Sequence, residues 1–252
     1  MTIDELLNEY ELTKGKLCPG ALLGVRMAVL GCSLTGVDYS GRNKDKNLIV
    51  WIEIDRWLAD AVELVTGARL GKRTMKFLDY GKLAATFLNL KTGDAVRIVA
   101  RESSRGLAEL RHAEIESKHE RQMRTYREAS DEELFEIMPV AVQLAPFDAA
   151  GHPLSRVICQ LCGEGVNDGR EVTLLEEVIL CRPCSNVQFP DFRSGAALHK
   201  KLTAVSGSLI SYLLVASANL TLLPQTPFDS ALAPDVSRGL TSSFRSRLRR
   251  LM

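Results

Sequence analysis

Apolar positions in the first half of the chain repeat at helical spacing in several places. Leu23, Met27 and Leu30 share one face of a helix over residues 21–30, and Pro19 stands where a helix can begin. Further helices are predicted over residues 2–12, 55–65 and 106–127, and after residue 130, where Ser130 opens a capping box.

Other segments have β-type patterns. Residues 48–54 form a near-continuous apolar run. Residues 83–90 and 95–100 predict two strands, and the short loop between them contains a glycine, which indicates a hairpin. Residues 171–180 predict a later strand, after a turn signal at residues 167–169. The pattern therefore mixes helical and β-type segments.

Composition is that of a globular protein with no strong charge bias. The chain has 252 residues, of which 46% are hydrophobic and 25% charged, and its net charge is +1. Such a chain forms one large or two modest domains, and its net charge gives no global case for nucleic-acid binding. The first residues lack the basic and apolar regions of a signal peptide, so a cytoplasmic location is expected.

Four of the six cysteines form two Cys-x-x-Cys pairs. Cys159 and Cys162 make the first pair, Cys181 and Cys184 the second, and 18 residues separate the pairs. Two such turns supply four tetrahedral ligands to zinc, and the gap lies in the range of zinc ribbons. Two disulfides or four idle thiols are the alternative, which this specific spacing and a reducing compartment disfavour.

All four ligand positions are cysteines, so no vertex is left for water or substrate. Such a site is structural rather than catalytic. We therefore predict one structural zinc ion per chain, in a small zinc-ribbon or treble-clef-like module over residues 154–200. Residues 1–148 form the first domain, and residues 149–153 read as a linker.

Several separated motifs, in order, resemble the FmdE family of formylmethanofuran dehydrogenase proteins. The matching segments are residues 16–26, 53–56, 65–67, 70–72, 79–87, 89 and 92–93. A zinc module after the core is also a family arrangement. The resemblance covers about residues 1–190 and implies an α+β core, with helices packed on a mainly antiparallel sheet, that forms a homodimer.

The chain departs from the family pattern in its core cleft. Family members read His-Gly-His-x-Cys-Pro-Gly, which looks like a metal site, whereas Lys14 and Lys16 replace both histidines here and only Cys18 remains. Further family cysteines are replaced by Trp57 and Ala68. Because a protonated lysine cannot coordinate a metal, we expect that this member has lost the core metal.

Two interpretations of the altered cleft remain open. In the simpler one, the former site has decayed and its residues only pack or face solvent. In the other, Lys14, Lys16 and the helix N-terminus form an anion pocket with Cys18 as its reactive sulfur. The resemblance also places Tyr80 and Lys82 at this cleft. Cys32, outside any pair, is most simply a buried apolar residue.

Residues 201–252 match nothing in the family, and we interpret them as a mobile or partner-dependent extension. They carry six basic and two acidic side chains. Residues 202–223 are long enough to span a membrane, but polar residues interrupt them, so a membrane partner is not expected. Four arginines form a basic patch at the end of the chain, which as a solvated terminus is usually inert: Arg245, Arg247, Arg249 and Arg250.

Three functions are consistent with these observations. The first is an accessory or regulatory protein whose zinc module docks to a partner enzyme or to nucleic acid. The second, implied by the resemblance, is a metal- or cofactor-handling component of a molybdenum or tungsten formylmethanofuran or formate-type dehydrogenase. The third is a thiol enzyme that uses Cys18. No catalytic triad, P-loop or dinucleotide fingerprint is present, and we favour the first function.

Overall fold

The helix Pro19–Thr35 is apolar around its whole circumference, and the fold of the first half of the chain is arranged around it. Thirteen of its 17 residues are buried, so neighbours must cover every side of it. Pro19 occupies its first turn and Gly36 ends it in the left-handed conformation, with its N–H bonded to the carbonyls of Cys32 and Ser33. The predicted helix over residues 21–30 is confirmed and is longer at both ends.

The computed structural model describes residues 1–40, 42, 46–174, 178–185, 232–233 and 241–250. It divides into two compact units, the first made of Met1–Leu144 with Ser230–Met252 and the second of Ala145–Asp229. The described helices are α1 (Ile3–Lys14), α2 (Pro19–Thr35), α3 (Trp57–Thr66), α4 (Ser103–Arg111), α5 (Lys118–Glu128), α6 (Asp131–Leu134), α7 (Arg182–Ser185) and α8 (Ser242–Arg249).

A five-stranded sheet forms the other layer of the first unit. Its order is β2-β1-β3-β4-β5, and every neighbouring pair is antiparallel except β1 with β2. The predicted α+β class, with helices on a mainly antiparallel sheet, is therefore confirmed. The strands of this sheet are β1 (Leu48–Ile52), β2 (Met75–Phe77), β3 (Ala84–Asn89), β4 (Ala95–Ala100) and β5 (Phe135–Pro139).

Two glycines allow α2 to approach its neighbours closely. A Cβ at Gly24 would lie 2.7 Å from the Cβ of Ala61 in α3, and one at Gly31 would lie 2.4 Å from the Phe87 ring in β3. A helical glycine costs about 1 kcal/mol relative to alanine, and here that cost permits dense packing of helix against helix and of helix against sheet.

The structure separates the predicted helix over residues 106–127 into α4 and α5. The side chain of Ser117 accepts a hydrogen bond from the Glu120 N–H and so starts a new helix. The buried imidazole of His112 ends α4, where its Nε2 lies 3.0 Å from a Glu128 carboxylate oxygen. The capping box at Ser130 is present, but α6 lasts one turn and leads directly into β5.

The second unit consists of short hairpins. Strand β7 (Arg156–Ile158) pairs with β8 (Gly165–Asn167), and β9 (Glu171–Leu174) pairs with β10 (Val178–Cys181), both antiparallel. The single strand predicted over residues 171–180 is therefore a hairpin. A 3₁₀ turn at Pro146–Asp148 begins the unit.

The end of the chain contains a helix that packs on the first unit, which differs from the predicted extension over residues 201–252. Phe244 of α8 is fully buried, and Thr241 caps the helix by accepting a hydrogen bond from the Phe244 N–H. Thr241 Oγ1 also donates to the Asp94 carboxylate, at 3.0 and 2.9 Å from its two oxygens. Arg247 donates through Nε to the Leu34 carbonyl at 2.6 Å. Arg247 is therefore part of a contact rather than of a solvated patch.

Strand β6 (Ala141–Val142) pairs with β11 (Leu232–Ala233), which also belongs to the first unit. The apolar stretch over residues 202–223 lies outside the described residues. Among the helices that the structure describes, none is long and apolar enough to cross a membrane.

On the sheet, Glu53 and Arg97 form a buried ion pair. Arg97 Nε and Nη2 donate to the two Glu53 oxygens at 2.6 and 2.7 Å. The Glu53 side chain is 2% exposed, so its charge depends on this partner for solvation. The hydrogen bonds from Arg97 to Glu53 raise the pKa of Arg97 above its usual value.

We predict that Arg97→Met destabilises the protein by about 3–5 kcal/mol, because it leaves a buried carboxylate unpaired. The double substitution Glu53→Leu with Arg97→Met should recover most of that loss. Urea denaturation of the two variants and the wild type measures this difference. Equal free energies of unfolding for the single and double variants would contradict the interpretation.

We further predict that Phe244→Ala weakens the docking of α8 by about 3 kcal/mol, because a fully buried aromatic ring is removed. Hydrogen exchange of the backbone amides of residues 242–249 should accelerate, while exchange in β3 and β4 stays slow. The control is Ser243→Ala, a change at an exposed position of the same helix. Unchanged protection of α8 in Phe244→Ala would show that the helix is not held through this ring.

Candidate metal centre

The two Cys-x-x-Cys turns of the second unit converge on one point. Cys159 and Cys162 follow β7, Cys181 ends β10, and Cys184 lies in α7. The backbone N–H of Gly163 donates to the Cys159 carbonyl, and the N–H of Cys159 donates to the Glu164 carbonyl. These bonds close a tight turn, in which Gly163 takes a positive φ of 75° that glycine readily adopts.

All four sulfurs lie within 4.8 Å of one another, and none of them is in a disulfide. A tetrahedral zinc with Zn–S bonds of about 2.3 Å requires sulfur–sulfur distances of about 3.8 Å. The Sγ atoms of Cys162 and Cys181 are 3.8 Å apart. The four thiols therefore fit a tetrahedral metal ion, and the disulfide alternative does not describe this structure.

The backbone around Cys159 favours its ionised form. Burial raises the pKa of Cys159, but hydrogen bonds from the backbone of Cys162, Cys181 and Leu161 outweigh burial and lower it to about 6. Burial and the neighbouring sulfurs instead raise the pKa of Cys184. With no cation between them, four thiols so close cannot all ionise. A bound metal would supply the charge that compensates four thiolates.

The core cleft of the first unit is built at the N-terminus of α2. Cys18 is the N-cap residue, and its sulfur accepts a hydrogen bond from the Ala21 N–H at 3.4 Å. The Trp57 ring lies next to Gly20, so that Trp57, at the start of α3, borders this turn. Cys18 is partly exposed, as the sequence predicted for a thiol at a helix start.

Carboxylates of α3 compensate the charge of one of the predicted cleft lysines. Lys14 Nζ lies 3.2 Å from a Glu63 oxygen and 3.8 Å from an Asp60 oxygen. Burial, followed by the charges of Asp60 and Cys18, raises the pKa of the buried Tyr10 to about 12. Because two carboxylates lie beside Lys14, the cleft carries less positive charge than the sequence alone indicated.

The remaining predicted cleft residues lie apart from these ion pairs. Lys16 and Lys82 are exposed, and the Lys82 N–H donates to the Glu53 carbonyl at the end of β1. Tyr80, which is 44% exposed, acts on the Arg97 guanidinium and helps to raise its pKa. Cys32 is fully buried, and burial raises the pKa of its thiol to about 12, so it is an inert core residue.

Residues 13–136 match the family model described as "FmdE, Molybdenum formylmethanofuran dehydrogenase operon". This chain carries a domain of the FmdE family. The domain covers α2, α3, the five-stranded sheet as far as the start of β5, and the core cleft. The resemblance found in the sequence is therefore confirmed, and the second unit with its four cysteines lies outside the FmdE domain.

Two further comparisons give relatives of this FmdE protein. It is 33% identical over 85 residues, 33% of its chain, to a "Probable S-adenosyl-L-methionine-binding protein" of Archaeoglobus fulgidus. Those residues span 23% of the archaeal protein. An FmdE-like protein of tungsten formylmethanofuran dehydrogenase, from Syntrophus aciditrophicus, has a crystal structure that aligns with a TM-score of 0.49 and 24% identity, over 75% of this chain and 96% of that one.

In the part of the chain that the structure describes, the four cysteines of the second unit are the group of His, Cys, Asp or Glu side chains placed to hold a metal ion. The loss of a core metal from the FmdE domain remains a prediction. Sequence reasoning missed Tyr10, Asp60 and Glu63, which adjoin the cleft. Their helical spacing in α1 and α3 is that of ordinary core and surface residues, and only the packing of the two helices brings them together.

We predict that the purified protein contains one zinc ion per chain, and that Cys159→Ser loses it because one of four ligands is removed. The matched control is Cys18→Ser, which removes a thiol outside the cluster and should retain the metal. Elemental analysis by mass spectrometry, after dialysis against metal-free buffer, measures the ratio. Zinc retained in Cys159→Ser and lost in Cys18→Ser would contradict the assignment.

Proposed function

We propose that this FmdE protein is an accessory protein whose metal-held module binds a protein partner, rather than an enzyme that acts alone. The observation that carries the proposal is the closed ligand set of Cys159, Cys162, Cys181 and Cys184, with sulfurs within 4.8 Å of one another. An ion bound there has no vertex for water or substrate, so its role is to fix the module. The metal best matched by four thiolates is zinc.

The charge and surface of the module favour a protein over a nucleic acid as the partner. Residues 145–185 contain three basic and six acidic side chains, a net charge of −3, which repels phosphates. Leu154 and Ile158 lie at either side of β7 and are 66% and 56% exposed. Exposed aliphatic residues on a rigid hairpin suit an apolar protein surface.

Site-specific photo-crosslinking in the native cell tests this proposal. A benzophenone amino acid at Leu154 should give one defined crosslinked protein, while the same group at Leu12, 86% exposed in α1, should not. Adding Cys159→Ser should abolish the product, since the module loses its metal. Equal products from Leu154 and Leu12, or a product that survives Cys159→Ser, would contradict the proposal.

The nucleic-acid alternative has its own test. Fluorescence anisotropy of a labelled DNA duplex and of a labelled single strand, at about 150 mM salt, should show no binding by the metal-loaded protein. Saturable binding to either oligonucleotide that is lost in Cys159→Ser would favour a nucleic-acid partner for the module instead.

A second candidate is metal or cofactor handling for a molybdenum or tungsten dehydrogenase of the formate type. The name of the matching family, which refers to a molybdenum enzyme operon, favours it, as does the name of the archaeal relative, which refers to a small-molecule ligand. Here the FmdE domain, proposed as a homodimer, would hold the ligand at the cleft beside Cys18. Copurified molybdenum or tungsten, or saturable uptake of S-adenosylmethionine in equilibrium dialysis, would support this candidate over the first.

A further inference from the structure

A cavity of about 300 Å³ opens in the first unit beside the C-terminal half of α2. Its apolar lining includes Val29, Leu30 and Leu34, which recur at helical spacing on one side of α2. Arg247 and Arg250, from the end of α8, form another side of the cavity. The volume is at the lower end of the range of about 300–1,000 Å³ that holds small ligands.

The arginines around this cavity differ in how far their charge is already compensated. Arg26 donates to the carbonyls of Tyr126 and Ala129, at 2.8 and 2.6 Å, and to Asp131 at 2.5 Å. Its guanidinium is therefore committed to holding α5 and α6 against α2. The three lining arginines and one lining aspartate give the cavity a formal charge of +2.

At the opposite side, the guanidiniums of α8 are less compensated. Arg247 binds the Leu34 carbonyl and lies 3.4 Å from an Asp94 oxygen. Arg250 is exposed, and no hydrogen bond or ion pair of its side chain is found among the described residues. Ser33, also exposed, adds a hydroxyl to the lining. Donors thus stand at the mouth of a cavity whose inner surface is apolar.

We propose that this cavity binds a small amphipathic anion: a carboxylate or phosphate head held by Arg250 and Ser33, with a short hydrocarbon chain against Val29, Leu30 and Leu34. Arginine forms paired hydrogen bonds with either head group, and the apolar lining gains from burying the chain. The site is separate from the FmdE cleft and from the four cysteines, because α8 supplies one of its walls.

Binding and helix docking are linked in this arrangement. Since Arg247 and Arg250 line the cavity only while α8 is docked, a ligand that binds there stabilises the docked helix by mass action. Slower hydrogen exchange in residues 242–249 therefore accompanies binding, a readout that non-specific adsorption elsewhere on the protein does not produce.

Isothermal titration of the full chain with sodium octanoate tests the proposal, with octanol and inorganic phosphate as probes that lack the head group or the chain. Octanoate should bind saturably, and both other probes at least about tenfold more weakly. Arg250→Gln should weaken octanoate binding about tenfold, whereas Arg249→Gln, an equal loss of charge at the neighbouring exposed position, should not.

Ser33→Leu fills part of the cavity from an exposed position and should abolish octanoate binding without lowering the melting temperature. Octanoate should also slow exchange in α8 of the wild type. The proposal is overturned if octanol binds as tightly as octanoate, if Arg249→Gln and Arg250→Gln weaken binding equally, or if no saturable binding occurs up to about 10 mM octanoate.

Discussion

Burial of α2 on every side is the constraint on which the first unit depends. A helix with no polar face cannot lie on a surface, so α3, α5, α1, the sheet and α8 are all placed by the need to cover it. Gly24 and Gly31 make the cover close. The two ends of α2 then become the chemically distinctive places of the unit: Cys18 at its start and the charged cavity beside its C-terminal half.

The second unit has no comparable core. Among its described residues, the buried side chains are those of Cys159, Asp168 and Leu180. Asp168 accepts hydrogen bonds from the Leu154 and Ser155 N–H groups and so orders the start of β7. A module with so little apolar burial needs a metal or disulfides to fold, and its sulfurs are free thiols. Four thiolates around one ion supply the stability that the apolar residues cannot.

The sequence predicted those features whose cause is local. The Cys-x-x-Cys pairs, the β3–β4 hairpin and the capping box at Ser130 each arise from residues a few positions apart, and each is present. The docking of α8 could not be predicted in this way, because it joins Thr241 to Asp94, far away in the chain. A buried aspartate and a capping threonine look ordinary until the fold brings them together.

The core cleft shows the same division. The sequence revealed that lysines stand where relatives have histidines, which changes the chemistry of the turn before α2. It could not show that Lys14 lies against Glu63 and Asp60, since that contact depends on how α1 packs on α3. Charge counted along a chain overestimates the field at a site when opposite charges arrive from another helix.

The central claim is that sulfur alone holds the metal of this protein and that the cleft beside Cys18 holds none. X-ray absorption spectroscopy at the zinc edge of the purified full chain tests it most directly. The account predicts a single shell of four sulfur atoms at about 2.3 Å, unchanged in Cys18→Ser. Nitrogen or oxygen atoms in the first shell, or a spectrum that changes in Cys18→Ser, would contradict it.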